Sequence, residues 1–220
     1  MSFMSVLVEK ARPYIEASLD KPFLLGILDG DLPLDIFQFW LRVDYPYLIN
    51  FARVEAAGIT KARTLHEMQV MFNMLNWTLN GEMALHRSYC AKFGIRQEEL
   101  FEQRMNPTKH AYSVHQLATA YGGSLAEVLA AALPCEVMYG GVGKGLVGKK
   151  AVAAENPYRD WLATYTSEGK GDAEKETFEL FDLLASECSE RQRTRLQEIF
   201  MTGMHYELSL WDKYYEKEWW

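Results

Sequence analysis

The chain carries the punctuation of helices and almost none of strands. Asn106 stands directly before Pro107, and Asn156 before Pro157. Asparagine supplies a side-chain acceptor for the free N–H groups at a helix start, and proline brings a φ that is already helical. Ser124 and Glu127 have the spacing of a capping box, and Ser189 is placed to cap a further helix. Gly94, Gly122 and Gly123 stand where helices would close. Between these marks apolar residues recur every three or four positions. Ile36, Trp40, Val43, Tyr47 and Phe51, for example, fall on one helix face. No stretch alternates apolar and polar residues between hairpin turns, so no sheet is expected.

The pattern predicts helices from Leu34 to about Gly58, Thr64 to Phe93, Asn106 to Gly122 and Ser124 to about Tyr139. Others are expected at "YRDWLATY", from Ala173 to Cys188 and from Glu190 to near Lys217. Pro46 lies inside the first and is expected to kink it near Asp44 and Tyr47. "SEGKGDAEKE" reads as a polar loop. The 220 residues show no repeat and no linker, so the expectation is one all-α domain over 1–220 with seven or eight helices.

Composition narrows the function classes. The net charge is −7 and no Lys/Arg-rich block appears. A nucleic-acid partner is therefore not expected. The N-terminal "MSFMSVLVEKARPYIEASLD" matches neither a signal peptide nor a membrane span. Three widely spaced cysteines, an odd number without a C-x-x-C, fit reduced thiols in the cytoplasm. Six Trp, twelve Tyr and eleven Phe are enough to fill a core and also to line a pocket for a flat ligand.

"GGVGKGLVGKK" spells G-x-G-x-x-G at Gly143, Gly145 and Gly148, followed by Lys149. A phosphate loop follows a strand and continues with Ser or Thr. Here the preceding segment is helical in pattern, and Lys150 stands at the hydroxyl position. The glycines read instead as small residues near a helix end that let another helix approach, followed by a loop.

Glu82 and His86 are one turn apart, a spacing that suits a metal, but paired Glu-x-x-His motifs from two helices are missing. An ion pair or hydrogen bond on a helix face is the better reading. His205 and Glu207 are too close in sequence to share a face. No metal is expected. Cys135 follows Pro134 inside an apolar helix, with Tyr139 one turn further on. It reads either as packing or as a nucleophile, whereas Cys90 and Cys188 lack such surroundings. Asp44, with Tyr47 three residues on, lies in an apolar stripe and needs a structural donor or a ligand's amino group. Glu207, with Trp211 one turn on, is a candidate acid–base whose pKa burial would raise.

Read together and in order, "KPFLLGILDGDLP", "FQFWLRVDYPYLINFAR", "GEMALHR", "PTKHAYSVH", "AAALPCEVMYGGVG", "NPYRDWLATYTSEG" and "HYELSLWDKYYEKEWW" resemble the TenA family, also called thiaminase II. The resemblance covers nearly the whole chain and implies the haem-oxygenase-like helical bundle. It implies a nucleophile at Cys135, of the cysteine-bearing branch, and a general acid–base at Glu207. It implies that Asp44 grips the amino group and ring nitrogen of a pyrimidine. Tyr47, Tyr112, Tyr139 and Tyr165 match family tyrosines, with Tyr47 and Tyr112 placed to sandwich or edge the ring.

The activity implied is hydrolysis of 4-amino-5-aminomethyl-2-methylpyrimidine or thiamin to the hydroxymethylpyrimidine, in thiamin salvage. No cofactor is implied, and the chain is expected as a homotetramer. Pro46, Met138 and the polar segment after Tyr165 depart from the family pattern and bear on pocket shape. The alternatives within the same fold are a cofactorless oxidase or haem-oxygenase-like enzyme, a non-catalytic ligand carrier and a transcriptional regulator. The charge of −7 and the lack of a basic helix weigh against the last.

Overall fold

Three of the four helix caps read from the sequence, Asn106, Ser124 and Ser189, stand at helix starts. The computed structural model describes residues 2–166 and 169–220, with the side chains at 97, 101 and 169–172 left aside. The elements are α1 (Phe3–Ser18), α2 (Pro22–Asp29), α3 (Leu34–Lys61), α4 (Leu65–Trp77), a π-helical turn (Thr78–Glu82), α5 (Met83–Lys92), α6 (Gln97–Phe101), α7 (Pro107–Gly122), α8 (Leu125–Lys149), α9 (Arg159–Thr166), α10 (Gly169–Ser186) and α11 (Glu190–Tyr215). Asn106 caps α7 by accepting from the Lys109 amide at 2.8 Å. Capping boxes form at Ser124–Glu127 and at Ser189–Gln192. Among the described residues there is no strand.

The differences from expectation have physical causes. There are eleven α-helices among the described residues rather than seven or eight. α1, α2 and α6 add to the expected set, and a π turn divides the run over 64–93. Asn156 does not cap α9 directly. Its Oδ1 accepts from the Tyr158 amide at 2.7 Å, and its Nδ2 donates to the carbonyls of Ile27 and Leu28 at 3.0 and 3.1 Å. It therefore ties the end of α2 to the turn before α9. Pro46 sits within an uninterrupted α3. α8 runs past Tyr139 to Lys149, so the glycine run lies in its last turns and the expected loop follows it. The segment read as a polar loop lies outside the described residues at 167–168 and is helical from Gly169.

α8 organises the bundle. It is long and apolar enough to cross a membrane, yet most of it is buried inside the protein, as in the core helix of a bundle. α1, α3, α7, α9, α10 and α11 pack around it. Its small residues set how near they come. A Cβ at Gly141 would lie 2.7 Å from the Ile15 side chain, and one at Gly143 would lie 3.0 Å from the Tyr165 carbonyl oxygen. The close-packing role expected for the glycines is thus met by α1 and α9.

On the other side, α11 approaches α8 through Gly203. A Cβ there would lie 2.5 Å from Pro134 Cγ. This contact sets the separation of the two helices that carry Cys135 and Glu207. Gly203→Ala is therefore expected to destabilise by about 1–3 kcal/mol, because a proline ring cannot move aside, despite the ordinary helix gain of about 1 kcal/mol from Gly to Ala. Gly148→Ala, with nothing within 4 Å of the new methyl, should be neutral or stabilising. Urea unfolding of the two variants checks this, and a Gly203→Ala protein as stable as the parent would show that the helices have room to separate.

Candidate active site

Seven helical elements bring chemically active side chains to one buried point. α3 contributes Asp44 and Tyr47, the π turn Glu82, and α5 His86. α7 contributes Lys109 and Tyr112, α8 Cys135 and Tyr139, α9 Tyr165, and α11 Glu207 and Tyr214. The seven residues singled out from sequence, Asp44, Tyr47, Tyr112, Cys135, Tyr139, Tyr165 and Glu207, are each no more than 6% exposed. All seven belong to this region.

Asp44 is a carboxylate with no access to water, so its charge has to be met by protein donors. Oδ1 pairs with Lys109 Nζ at 2.7 Å, and Oδ2 faces His86 Nε2 at 3.0 Å. The other ring nitrogen of His86, Nδ1, is 3.0 Å from the Glu82 carbonyl, which only accepts. Both His86 contacts become hydrogen bonds together when both ring nitrogens carry protons. Burial alone would raise the Asp44 pKa, but Lys109 and His86 outweigh it and hold the carboxyl below its ordinary value.

Glu207 has the opposite fate. Burial pushes its carboxyl from the ordinary 4.5 up to about 7, against the pull of Lys109 and Tyr112. The charge of Asp44 adds to the rise, and the Cys135 thiol beside it opposes it. Burial, with the nearby charge of Glu207, also pushes the Cys135 thiol well above its ordinary value. In the closed site the proton therefore rests on sulfur, with a half-titrated carboxylate as its neighbour. Glu207 Oε1 and the hydroxyls of Tyr112 and Tyr214 are buried without a well-formed hydrogen bond. A buried polar group left so calls for a physical reason, a catalytic role among them.

The aromatic residues form two groups. Tyr139 packs against Tyr165 at 4.8 Å, Trp211 at 5.2 Å and Trp161 at 5.9 Å between ring centroids. The Tyr165 hydroxyl donates to Glu82 Oε1 at 2.8 Å. Tyr47 and Tyr112 are near-parallel with centroids 5.7 Å apart. Two walls holding a flat ring between them would stand roughly 7 Å apart, twice a contact distance of about 3.5 Å. In this structure the pair stacks on itself, so no flat ring fits between the two rings as they stand. Despite Pro46, Tyr47 is buried, and its hydroxyl accepts from Gln116 Nε2 at 3.2 Å.

Several site residues were not legible as such. Lys109 and Tyr214 carry no motif or spacing in the sequence that marks them out. Glu82 and His86 were read as a pair on a helix face. A hydrogen bond does join them, from His86 Nδ1 to the Glu82 carbonyl, while the Glu82 carboxylate turns to Tyr165 and His86 Nε2 to Asp44. The π turn adds a residue to the helix between α4 and α5, a device common at functional sites. Gly81 permits it: a Cβ there would lie 2.8 Å from the Trp77 ring. Among the described residues no group of three His, Cys, Asp or Glu could hold a metal ion.

The sequence pattern of the TENA/THI-4/PQQC family matches residues 8–217. The chain belongs to this family. Among its TENA/THI-4/PQQC relatives is the aminopyrimidine aminohydrolase of Halalkalibacterium halodurans, 36% identical over 220 residues, 100% of this chain and 98% of that one. A solved structure described as a TenA family transcription regulator, from Silicibacter sp. TM1040, is 32% identical with a TM-score of 0.86, over 97% of this chain and 96% of the other. A Shewanella denitrificans domain with a haem-oxygenase-like fold superposes with a TM-score of 0.72 at 14% identity, over 97% and 92% of the two chains. The fold of this TenA-type chain is accordingly the haem-oxygenase-like all-α bundle.

Glu207 makes stability depend on pH. Its folded pKa of about 7 lies above its ordinary 4.5. The stabilising contribution is therefore full below about pH 4.5 and is lost as pH rises through about 7. Relative to the parent, Glu207→Gln should gain on the order of 3 kcal/mol in stability between pH 4.5 and pH 8. Parallel denaturation curves at the two pH values measure it; a constant difference between the proteins would mean that Glu207 is already ionised at low pH.

Proposed function

We propose that this protein is an aminopyrimidine hydrolase of thiamin salvage. It converts 4-amino-5-aminomethyl-2-methylpyrimidine, or thiamin, to the 5-hydroxymethyl pyrimidine. One observation carries the reading: a thiol and a carboxyl with a pKa of about 7 are neighbours in a buried site that also holds a charged aspartate. The full-length likeness to a relative named aminopyrimidine aminohydrolase supports it.

Direct loss of the side-chain amine is slow because an amine is a poor leaving group. Glu207 takes the thiol proton, and Cys135 sulfur adds to the pyrimidine ring. The added electron density expels the amine from the side-chain methylene. Glu207 returns the proton to it, so that it leaves as ammonia with the electrons of the C–N bond. Water then adds to the exocyclic methylene, and its proton passes through Glu207. The ring regains aromaticity by releasing the Cys135 thiol. For the aminomethyl pyrimidine the sum is one water consumed and one ammonia released, and for thiamin the neutral thiazole leaves in place of ammonia, with no metal or organic cofactor required. Asp44 orients the ring through its amino group and ring nitrogen, and Tyr47, Tyr112, Tyr139 and Tyr165 enclose it. A regulator's role, as in one relative's description, lacks support in a chain of charge −7 without a basic block. Reduced thiols fit a cytoplasmic place of action.

Cys135→Ser should lower kcat at least about a thousandfold, about 4 kcal/mol of barrier, and Glu207→Gln should cost a similar amount. The double variant should be little worse than either, because both residues serve one sequence of steps. Cys90→Ser and Cys188→Ser should stay active. Ammonia release from the aminopyrimidine is the assay, and near-normal turnover by Cys135→Ser would refute the thiol route.

A homotetramer is part of the same reading. Leu65, Met68, Phe72 and Leu79 lie exposed along α4 and the π turn, an apolar stripe of the kind that marks a protein contact. The C-terminal Trp219 and Trp220 are also exposed. Trp219 packs on Phe39, and Trp220 Nε1 donates to the Met105 carbonyl at 3.1 Å. Light scattering at micromolar concentration should give four times the chain mass of 25.3 kDa; a monomer would leave the α4 stripe unexplained.

A further inference from the structure

Lys109 is the one buried lysine among the described residues, with 0% exposure. It stands in the first turn of α7, where the positive end of the helix disfavours a cation. Its ammonium is nevertheless held at two places a ligand would want. It lies 2.7 Å from Asp44 Oδ1 and 3.6 Å from the centre of the Tyr47 ring. The second distance is that of a stacked atom, so the ammonium occupies the layer in which a flat ring on Tyr47 would lie. The other Asp44 oxygen is taken by His86, whose far nitrogen is fixed on the Glu82 carbonyl. With every site residue shut from solvent, a ring enters only if something leaves. His86 is anchored at both nitrogens. Lys109 hangs on a flexible four-carbon stem.

We propose that Lys109 is an internal placeholder and a specificity-determining residue: its ammonium fills the ligand's donor seat on Asp44 until a ring with a better-matched donor edge displaces it. This rests on the reading that the ring is anchored at Asp44. A lysine offers the carboxylate a point charge. A 4-aminopyrimidine carrying a proton on the adjacent ring nitrogen offers two parallel N–H groups, which a carboxylate accepts as a fork. The same ring with an oxygen in place of the amino group lacks that fork, cannot replace the ammonium and is left outside. Discrimination thus comes from a competitor within the chain in addition to contacts with the bound ring.

The test is calorimetric titration with the hydroxymethyl product, which is not turned over, and with its 4-oxo counterpart. Lys109→Met should bind the aminopyrimidine at least tenfold more tightly than the parent, because the competitor is gone. Unchanged or weaker binding by Lys109→Met would overturn the placeholder. Asp44→Asn separates the two ideas. Its binding should fall at least tenfold, and if it equals the parent the anchoring at Asp44 itself fails. Should Lys109→Met not fold, the parent labelled with ¹⁵N-lysine serves. The signal of its one protected ammonium should shift or lose protection when the aminopyrimidine saturates the site, and stay in place with the 4-oxo ring. An ammonium signal unmoved by the saturating aminopyrimidine would equally overturn the proposal.

Discussion

α8 is apolar over most of its circumference, and the architecture follows from covering it. Only Glu127, Glu136 and Lys144 interrupt its apolar and small residues from Leu125 to Leu146, so neighbours close on most sides. How near they come is set by side chains too small or too rigid to yield. Gly141 receives Ile15 of α1, Gly143 receives the α9 backbone at Tyr165, and Pro134 receives Gly203 of α11. Cys135 and Tyr139 are carried on this helix, so any chemistry they perform takes place inside the core. A buried reactive site is thus a direct result of placing the thiol on the innermost helix.

Burial then makes electrostatics decisive, because nothing but protein answers a charge there. Asp44 and Glu207 are both carboxylates in the same dry region, yet they are driven apart. Lys109 and His86 flank Asp44 and keep it charged. Glu207, with burial dominant and Asp44 adding repulsion, is moved to about 7. One acid is thereby kept charged and the other moved towards neutrality, a separation that two equivalent surface carboxylates would not show.

The bundle was largely readable because helix signals are local. Asn106 before Pro107, Ser124 with Glu127 and Ser189 satisfy their own helix starts within three residues. The places where reading failed involve partners distant in sequence. Asn156 looked like a cap because its neighbour is Pro157, yet two of its hydrogen bonds go to carbonyls at the end of α2. The π turn over Thr78–Glu82 left no mark in the periodicity beyond Gly81, since one extra residue in a long apolar run does not disturb its look.

By itself the sequence determined an all-α chain, the span of its main helices and a set of residues whose types suit thiol and acid–base chemistry. It did so because caps, prolines and apolar spacing act within a turn or two, and because the segments around Asp44, Cys135 and Glu207 resemble a known family in order. Only the tertiary structure decided which groups face one another. Lys109 is 65 residues from Asp44 in sequence, with no periodic or motif signal to link them, and the 2.7 Å pair exists because α3 and α7 cross beside α8. The charge state of each site carboxyl follows from that crossing, since a pKa depends on what surrounds a group in space and not on its neighbours along the chain.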